Sequence, residues 1–231
     1  MSAIHDILTR SKRSVRLALR KCKDCIERIP FCVKRHIPDL PYKITLSQPI
    51  LPSSTLDEKL YNLRHVAGQI GDYVLLPGEV LSFWNVVGNP DKLKSSRSIR
   101  NNKVAVEKGG GLCQAAGAIY HLALLCGLEI VERYNHSVDL YGDGPRACPI
   151  GFDATVSYGY KDLRIRNISN ATLRIVLSVS DEELYAELHS DILMQEHKVA
   201  SQVTSSSGLI VVNTYYSDTH ESISENIYRT L

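Results

Sequence analysis

The sequence lacks the features of an integral membrane protein and those of an exported one. It has no run of about 18 apolar residues, which a transmembrane helix needs, and its N-terminus has no uninterrupted apolar core like that of a secretory signal. The net charge is only +2, so the composition does not require a nucleic-acid partner. Without an export signal, we expect a cytoplasmic protein whose thiols stay reduced.

Residues 2–29 lack Phe, Tyr and Trp and combine basic residues with a regular apolar pattern. Apolar and small side chains recur at three- and four-residue steps, which predicts one face of a helix. This face consists of Ile4, Leu8, Ser11, Val15, Ala18, Cys22, Ile26 and Ile29. We expect it to pack on the rest of the protein. The alternative is contact with an anionic membrane surface, which is less favoured because such helices often carry aromatic anchors.

The six cysteines are unevenly spread, with three of them before residue 33. Cys22 and Cys25 form a C-x-x-C pair, and Cys32 follows seven residues later. A structural zinc site usually has four ligands, and only His36 lies near enough in sequence to be the fourth. We therefore expect structural thiols and no metal or other cofactor. A zinc-stabilised scaffold remains the alternative.

The chain divides into three parts by composition. Residues 1–54 are the basic helix and a proline-rich connector, residues 55–216 are the main domain, and residues 217–231 are a polar tail expected to fray. In the main domain, residues 80–87 are apolar and read as a strand, whereas the polar residues 89–103 read as a mobile surface loop.

Secondary-structure patterns in the main domain predict an α+β fold. Overlapping capping boxes at residues 54–58 predict the start of a helix. Alternating apolar residues from 163 to 189, and further β segments from 198 to 216, predict an antiparallel meander. Helices followed by a run of strands are typical of α+β domains, here with a cysteine-bearing helix on the sheet.

The stretch from Gly109 to Gly127 is the most informative part of the sequence. Three successive glycines stop any regular element and let the backbone come close to another group. The following alanines and leucines, closed by Gly127, predict a helix with a glycine C-cap. Cys113 then lies in the first helical turn, where the helix dipole and unpaired amides favour a thiolate.

A histidine and a carboxylate follow on later predicted strands. One segment ends at His136, and the next begins at Asp153. Cysteine, histidine and aspartate on successive elements are one layout of a nucleophile, its base and the group that orients the base. Asp139 competes with Asp153 for the third role, but Asp139 is three residues from His136 and could be a turn residue. His121 is excluded, since it lies about 12 Å from Cys113 along the same helix.

Other residues are candidates for binding an oxyanion or a substrate. They are Gln114, Gly111, Asn85, Arg133 and Tyr158. The amides of Cys113 and Gln114 could steady an oxyanion, and the Asn85 side chain could add a donor, although capping the next turn is its preferred role. Arg133 could hold a substrate carboxylate with two hydrogen bonds, or could equally form an ion pair within the protein.

The same motifs carry a family resemblance. Residues 109–114 (GGGLCQ), 132–137 (ERYNHS), 153–160 (DATVSYGY) and 162–167 (DLRIRN) resemble the VanW family, which is named after a protein of vancomycin-resistance clusters. The resemblance covers roughly residues 56 to 189, and Asp153 matches its motif. Some VanW domains are cysteine-dependent L,D-transpeptidases, which cross-link peptidoglycan. The layout is also similar to that of transglutaminase-like cysteine enzymes.

The resemblance implies acyl transfer on peptide stems of peptidoglycan or its precursors. His136 would take the proton from Cys113, and the thiolate would attack an amide carbonyl to give a thioester. The alternative is a catalytically idle VanW module that binds a peptidoglycan precursor or a glycopeptide. A cell-wall substrate conflicts with the expected cytoplasmic location.

Overall fold

The computed structural model describes residues 2–100, 103–139, 141–142 and 144–230. The described residues form four α-helices, α1 (Ser2–Ile26), α2 (Leu56–Ile70), α3 (Phe83–Val87) and α4 (Leu112–Leu125), and a 3-10 helix (Pro90–Lys92). The strands are β1 (Val33–Lys34), β2 (Tyr42–Pro49), β3 (Tyr73–Val74), β4 (Val80–Ser82), β5 (Ser95–Arg100), β6 (Lys103–Lys108), β7 (Glu129–Glu132), β8 (Val138–Asp139), β9 (Arg164–Arg166), β10 (Leu173–Val179), β11 (Glu183–Ser190), β12 (Val199–Ser206), β13 (Leu209–Tyr216) and β14 (Ser222–Thr230).

The predicted α+β fold is confirmed, but its strands form several small sheets rather than one meander. Strands β10, β11 and β2 make an antiparallel sheet, with α2 packed on β10 and α4 packed on β11 and β2. Strands β4, β9 and β7 make a second antiparallel sheet. In the third, β12, β13 and β14 are antiparallel, and β14 also pairs in parallel with β8.

Helix α4 is the centre of the main hydrophobic core. Ten of its 14 residues are buried, and many of them are small. Beside Gly117, an added Cβ would lie 3.4 Å from the backbone nitrogen of Ala154 and 3.6 Å from the Cα of Asp153. The absence of a side chain there lets the segment that carries Asp153 pack directly on the helix. Small residues in α4 thus determine where that carboxylate lies.

The C-terminus of α4 is a Schellman motif, as its glycine predicts. Gly127 has a φ of 64°, and its amide donates to the Leu124 carbonyl at 3.1 Å. The Leu128 amide donates to the Ala123 carbonyl at 2.9 Å. These bonds satisfy two carbonyls at the end of the helix and turn the chain sharply into β7.

The prediction of a mobile loop at residues 89–103 is wrong for the described part of this segment. Its residues form a 3-10 helix and one strand of a hairpin. Strand β5 pairs with β6, and the buried Asn62 of α2 holds the start of β5 by bonding both the amide and the carbonyl of Lys94. Asn62 also donates to the Gly110 carbonyl at 3.0 Å. A Cβ on Gly110 would lie 2.6 Å from the backbone of Ser96, so the close approach predicted for the glycines is to β5.

Two local predictions before that hairpin also need correction. Residues 80–87 are not one strand, because the Ser82 hydroxyl accepts a hydrogen bond from the Asn85 amide at 3.2 Å and starts helix α3. The capping box predicted for α2 does not form. Thr55 is the N-cap without a side-chain cap bond, and its hydroxyl instead accepts from the Arg97 amide at 2.9 Å.

The C-terminal residues are not a frayed tail, since residues 222–230 form β14. This strand pairs with β13 and β8, and it buries Asn226 and Tyr228. The strand lies outside the domain boundary expected from composition, because its polar residues hide an alternating pattern. At alternate positions of this strand, Asn226 and Tyr228 point inward, where they form hydrogen bonds.

Helix α1 exists as predicted, but the face chosen for packing is wrong. Val15 and Ile26 of that face are 60% and 81% exposed, and Ala18 and Cys22 are exposed as well. The helix instead docks through charged side chains: Asp24 accepts two hydrogen bonds from Arg164, at 2.6 and 2.8 Å. Within the described ranges, no helix has both the length and the apolar character needed to cross a bilayer.

Candidate active site

Cys113 lies in the first turn of α4, as the sequence predicts. Gly111 is the N-cap of this helix, with a φ of 97°. The thiol is partly buried, and its sulfur lies 3.8 Å from the Val156 carbonyl, to which it donates. The imidazole of His136 lies near the same thiol and lowers its pKa. The helix start therefore presents the thiol directly to a histidine from a distant part of the chain.

His136 is held in one orientation by Asp153. The imidazole Nδ1 and the Asp153 carboxylate oxygen Oδ2 are 2.5 Å apart, and the backbone amide of His136 donates to the same oxygen at 2.7 Å. Because Nδ1 is occupied, Nε2 is the ring nitrogen that remains for the thiol. The predicted cysteine, histidine and aspartate thus lie together, with His136 bonded to Asp153 and close enough to Cys113 to lower the pKa of the thiol.

The elements that deliver these groups differ from the prediction. Strand β7 ends at Glu132, so His136 lies on the irregular segment that follows rather than on the strand. Asp153 also lies on an extended segment outside any strand. The two segments are tied together where the Thr155 amide donates to the Tyr134 carbonyl at 2.7 Å. Packing against Gly117 supplies the rigidity that a sheet would otherwise give.

Two residues that the sequence did not identify help to hold Asp153, one directly and one through Arg133. Tyr228 donates its phenolic proton to Oδ1 of Asp153 at 2.5 Å. Asn226 accepts a short hydrogen bond from Arg133. Both are on β14, in the segment expected to fray. They point inward at alternate positions of the strand, but the polar sequence of β14 carries no apolar alternation that would signal this burial.

The Arg133 side chain forms its hydrogen bonds with groups of the protein itself. Its guanidinium donates to the Asp153 carbonyl at 2.7 and 2.5 Å and to the Asp153 carboxylate at 3.1 Å. It also donates to the Gly151 carbonyl at 3.2 Å and stacks 4.6 Å from the centre of the Tyr120 ring. With only 7% of its side chain exposed, Arg133 serves the internal ion pair, which was the alternative to binding a substrate carboxylate.

Burial opposes the charged form of all three groups, and their mutual contacts overcome it. Burial raises the pKa of Asp153, but the hydrogen bond and charge of His136 lower that pKa to about 2. Burial lowers the pKa of His136, but its bonds to Asp153 and Cys113 raise the pKa to about 10. Burial raises the pKa of Cys113, and His136 lowers it below its ordinary value. The combination favours a thiolate–imidazolium pair beside an ionised carboxylate.

Other cysteines and carboxylates differ from this site. Burial raises the pKa of Cys32, Cys126 and Cys148 to about 12. Asp139, the competing third member, accepts bonds from both guanidinium nitrogens of Arg146, at 2.7 and 2.6 Å. The lowered thiol pKa therefore distinguishes Cys113 from these three buried thiols.

The remaining candidates take mainly structural positions. The Gln114 amide donates to the Gly111 carbonyl at 2.9 Å, and its side chain donates to the Pro49 carbonyl at 3.0 Å. The Cys113 amide has no backbone acceptor among the described residues, so it stays available as an oxyanion donor. Asn85 is exposed in α3. Tyr158 packs edge-on against Trp84, with ring centres 5.3 Å apart.

The N-terminal cysteines do not assemble a metal site in the described residues. Cys22 and Cys25 are exposed on α1, whereas Cys32 is buried. No group of three or more His, Cys, Asp or Glu side chains in the described ranges is arranged to hold a metal ion.

Comparisons with known proteins agree with the motifs. The chain is 32% identical over 139 residues to the Vancomycin B-type resistance protein VanW of Enterococcus faecalis, covering 58% of this chain and 50% of that protein. It is 32% identical over 126 residues to the uncharacterized protein YoaR of Bacillus subtilis, covering 53% of this chain and 40% of that protein. The chain thus spans half or less of these relatives, and no solved structure matches it. The family model described as VanW like protein matches residues 58–189, more than half of the chain, so this protein belongs to the VanW family.

Proposed function

We propose that the protein is a cysteine-dependent acyltransferase of the L,D-transpeptidase kind, acting on peptide stems of peptidoglycan or its precursors. The observation that carries this proposal is that Cys113, at a helix start, lies beside His136, whose imidazole is oriented by Asp153. A thiol with a lowered pKa next to an oriented imidazole is the arrangement that nucleophilic catalysis by cysteine needs.

The first half-reaction forms a thioester. The Cys113 thiolate attacks the amide carbonyl carbon of the donor stem, and the carbonyl electrons move onto the oxygen. The Cys113 amide, which has no backbone acceptor among the described residues, donates to this oxyanion. The tetrahedral intermediate then collapses, the C–N bond breaks, and the His136 imidazolium gives its proton to the leaving amine.

The second half-reaction transfers the acyl group. A side-chain amine of another stem attacks the thioester carbonyl, and neutral His136 accepts the proton that the amine loses. The C–S bond breaks, a new amide forms, and the thiolate–imidazolium pair is restored. Asp153 stays ionised throughout, because its pKa of about 2 is far below neutral pH, and it keeps the imidazole oriented.

The substrate class rests on the family and on one relative. The enterococcal relative's name connects that protein to vancomycin resistance. The motifs that hold Cys113, His136 and Asp153 all lie within the part of the chain that matches the family. A peptidoglycan stem peptide is therefore the substrate that we propose for this site.

A second candidate is a VanW module that binds the same stems without chemistry. One observation favours it: the Gln114 amide already donates to the Gly111 carbonyl. The predicted oxyanion site then has one free backbone donor instead of two, and loss of one such donor typically reduces kcat about 100-fold or more.

The test uses a purified tetrapeptide stem with and without an acceptor amine. We expect intact-protein mass spectrometry to show a stem adduct on Cys113 without acceptor, and a cross-linked peptide when acceptor is added. Cys113→Ala should abolish both, whereas Cys22→Ala, at an exposed thiol on α1, should change neither. If wild type and Cys113→Ala bind the stem equally in calorimetry, and no adduct forms, the protein is a binding module.

A further inference from the structure

Helix α1 carries an exposed apolar stripe from Val15 to Ile26. Val15, Leu19 and Ile26 follow one another at four- and seven-residue steps, so they lie on one face, and each is at least 60% exposed. Ala18 and Cys22, on the same side, are also exposed. A helix of a globular protein normally turns such a stripe to its core. No side chain of the described residues covers it here.

The helix docks on its own protein by the opposite side. At about 100° per residue, Asp24 lies roughly 180° around the helix from Val15. Asp24 bonds Arg164, and Arg20 forms ion pairs with Glu132 and Asp162. The stripe is thus directed away from the domain by contacts that are specific and partly buried.

Basic side chains border the stripe on both flanks. Lys12, Arg16 and Lys23 lie on one side of it and Lys21 and Arg10 on the other, and all five are exposed. Within residues 10–26, Asp24 is the one acidic residue in the sequence, and its carboxylate is already bonded to Arg164. The exposed Glu27 follows directly and pairs with Lys23 at 3.7 Å, so the outward side of the helix combines apolar groups with an excess of cationic ones.

We propose that α1 lies on the surface of a membrane that contains anionic lipids. The stripe would enter the boundary between headgroups and acyl chains, and the flanking Lys and Arg would contact lipid phosphates. A second copy of this helix is a poorer occupant, since two such faces would bring like charges together. Because the helix has no aromatic anchor, its binding depends strongly on charge and should weaken with salt.

This orientation brings the site-bearing domain close to the membrane. On Gly159, an added Cβ would lie 2.8 Å from Cγ of Arg13, so α1 sits tightly on the turn that contains it. That turn follows Val156, whose carbonyl accepts from the Cys113 thiol. The proposal does not depend on the chemistry of Cys113, so either can fail without the other.

Vesicle flotation with the full chain tests the proposal. We expect binding to vesicles of phosphatidylcholine with phosphatidylglycerol, and little binding to phosphatidylcholine alone. The triple variant Val15→Gln, Leu19→Gln, Ile26→Gln changes exposed positions, so it should stay folded by circular dichroism and lose affinity about tenfold or more. The matched control changes three apolar residues that are exposed elsewhere, Ile168→Gln, Leu193→Gln and Val203→Gln, and should bind like wild type.

Three results would overturn the proposal. The first is wild-type protein that does not float with anionic vesicles at low salt. The second is a triple variant that binds as well as wild type. The third is wild-type protein that dimerises in sedimentation while the triple variant stays monomeric, because the stripe would then be a contact between copies of the chain.

Discussion

Tyr228 and Asp153 are joined by a hydrogen bond of 2.5 Å across 75 residues of sequence. The phenol donates to Oδ1, while His136 occupies Oδ2. The carboxylate that orients the proposed base is therefore held on both oxygens, and Tyr228 lies beyond the part of the chain that matches the VanW family, unlike His136 and Arg133, which also bond it.

Removing the phenolic hydroxyl should weaken the site without unfolding it. A hydrogen bond to a charged group contributes about 1.5–3 kcal/mol. We assume that about half of this free energy is lost from the transition state when His136 is less well oriented. Tyr228→Phe should then slow thioester formation roughly tenfold. Stopped-flow kinetics with an activated thioester substrate would measure it. Tyr185→Phe, at an exposed tyrosine on β11, is the matched control, and an equal slowing in both variants would contradict the assigned role.

Cys113 should react as a thiolate below the pH range of ordinary thiols. His136 lowers its pKa, whereas burial raises the pKa of Cys126 and Cys148 to about 12. At pH 6.5 we expect iodoacetamide to modify Cys113 at least about tenfold faster than these two, since one pKa unit changes the thiolate fraction by that factor. Peptide mapping after timed quenching gives the rates.

The histidine variants separate this effect from simple accessibility. His136→Ala should bring the Cys113 rate down toward those of the buried Cys126 and Cys148, because burial then raises its pKa without opposition from His136. His189→Ala, which removes an imidazole paired with Glu187 on β11, should leave the rate unchanged. A Cys113 rate that rises only near the pKa of a free thiol would remove the basis for the enzyme proposal.

Asp153 should stabilise the fold above about pH 4 and stop doing so at lower pH. Its folded-state pKa of about 2 lies below the ordinary value of about 3.9. The folded state therefore favours the ionised form, and this contribution, about 2–3 kcal/mol, is present above the unfolded pKa and is lost as pH falls toward 2. Urea unfolding of wild type and Asp153→Asn from pH 2.5 to 7 should show a difference that shrinks on acidification.

Asp181→Asn provides the control for that titration. The Asp181 side chain is 82% exposed, and its pair with Arg64 lies on the surface. Surface pairs contribute about 0–1 kcal/mol, so this variant should follow the wild-type curve. A constant difference between wild type and Asp153→Asn down to pH 2.5 would mean that the carboxylate is not held in its ionised form.

Gly110 should be intolerant of even one methyl group. An added Cβ would lie 2.6 Å from the Ser96 carbonyl and 2.7 Å from the Arg97 carbonyl oxygen, and backbone cannot move aside as a side chain can. We expect Gly110→Ala to lower the free energy of unfolding by about 2 kcal/mol or more, within the range for overpacked sites. Gly68→Ala, in α2 with open space around it, should instead stabilise by about 0.5–1 kcal/mol.

Local sequence predicts the start of α4 near Cys113 because the chemistry of a helix start is local. The glycines before Cys113 and the composition after it determine a helix start, and that helix start is what the structure shows. His136 and Asp153 follow in short motifs of the family. Their meeting needs a contact that no local pattern describes, namely the packing of the Asp153 segment on Gly117.

Other features depend on tertiary contacts and escape sequence reasoning for that reason. The polar β5 and β6 sequences read as a loop, but Asn62 supplies the bonds that hold their hairpin. For α1, the apolar pattern gives the helix but not its docking side, since Arg164 and Glu132 attract its charged face. Asn226 and Tyr228 have the composition of a polar tail. Their role depends on Arg133 and Asp153, which are distant in sequence and which they bond in the fold.

Strand β14 follows all other residues of the site in the sequence, so the site is completed late during synthesis. Cys113, His136 and Asp153 precede Tyr228 by 115, 92 and 75 residues, so all three are made before the strand that bonds Asp153. Contacts between residues so far apart also form late, because a long loop must close first. A nascent chain that lacks β14 would therefore carry Asp153 without its bond from Tyr228, and the site would reach its full arrangement only when this strand joins the fold.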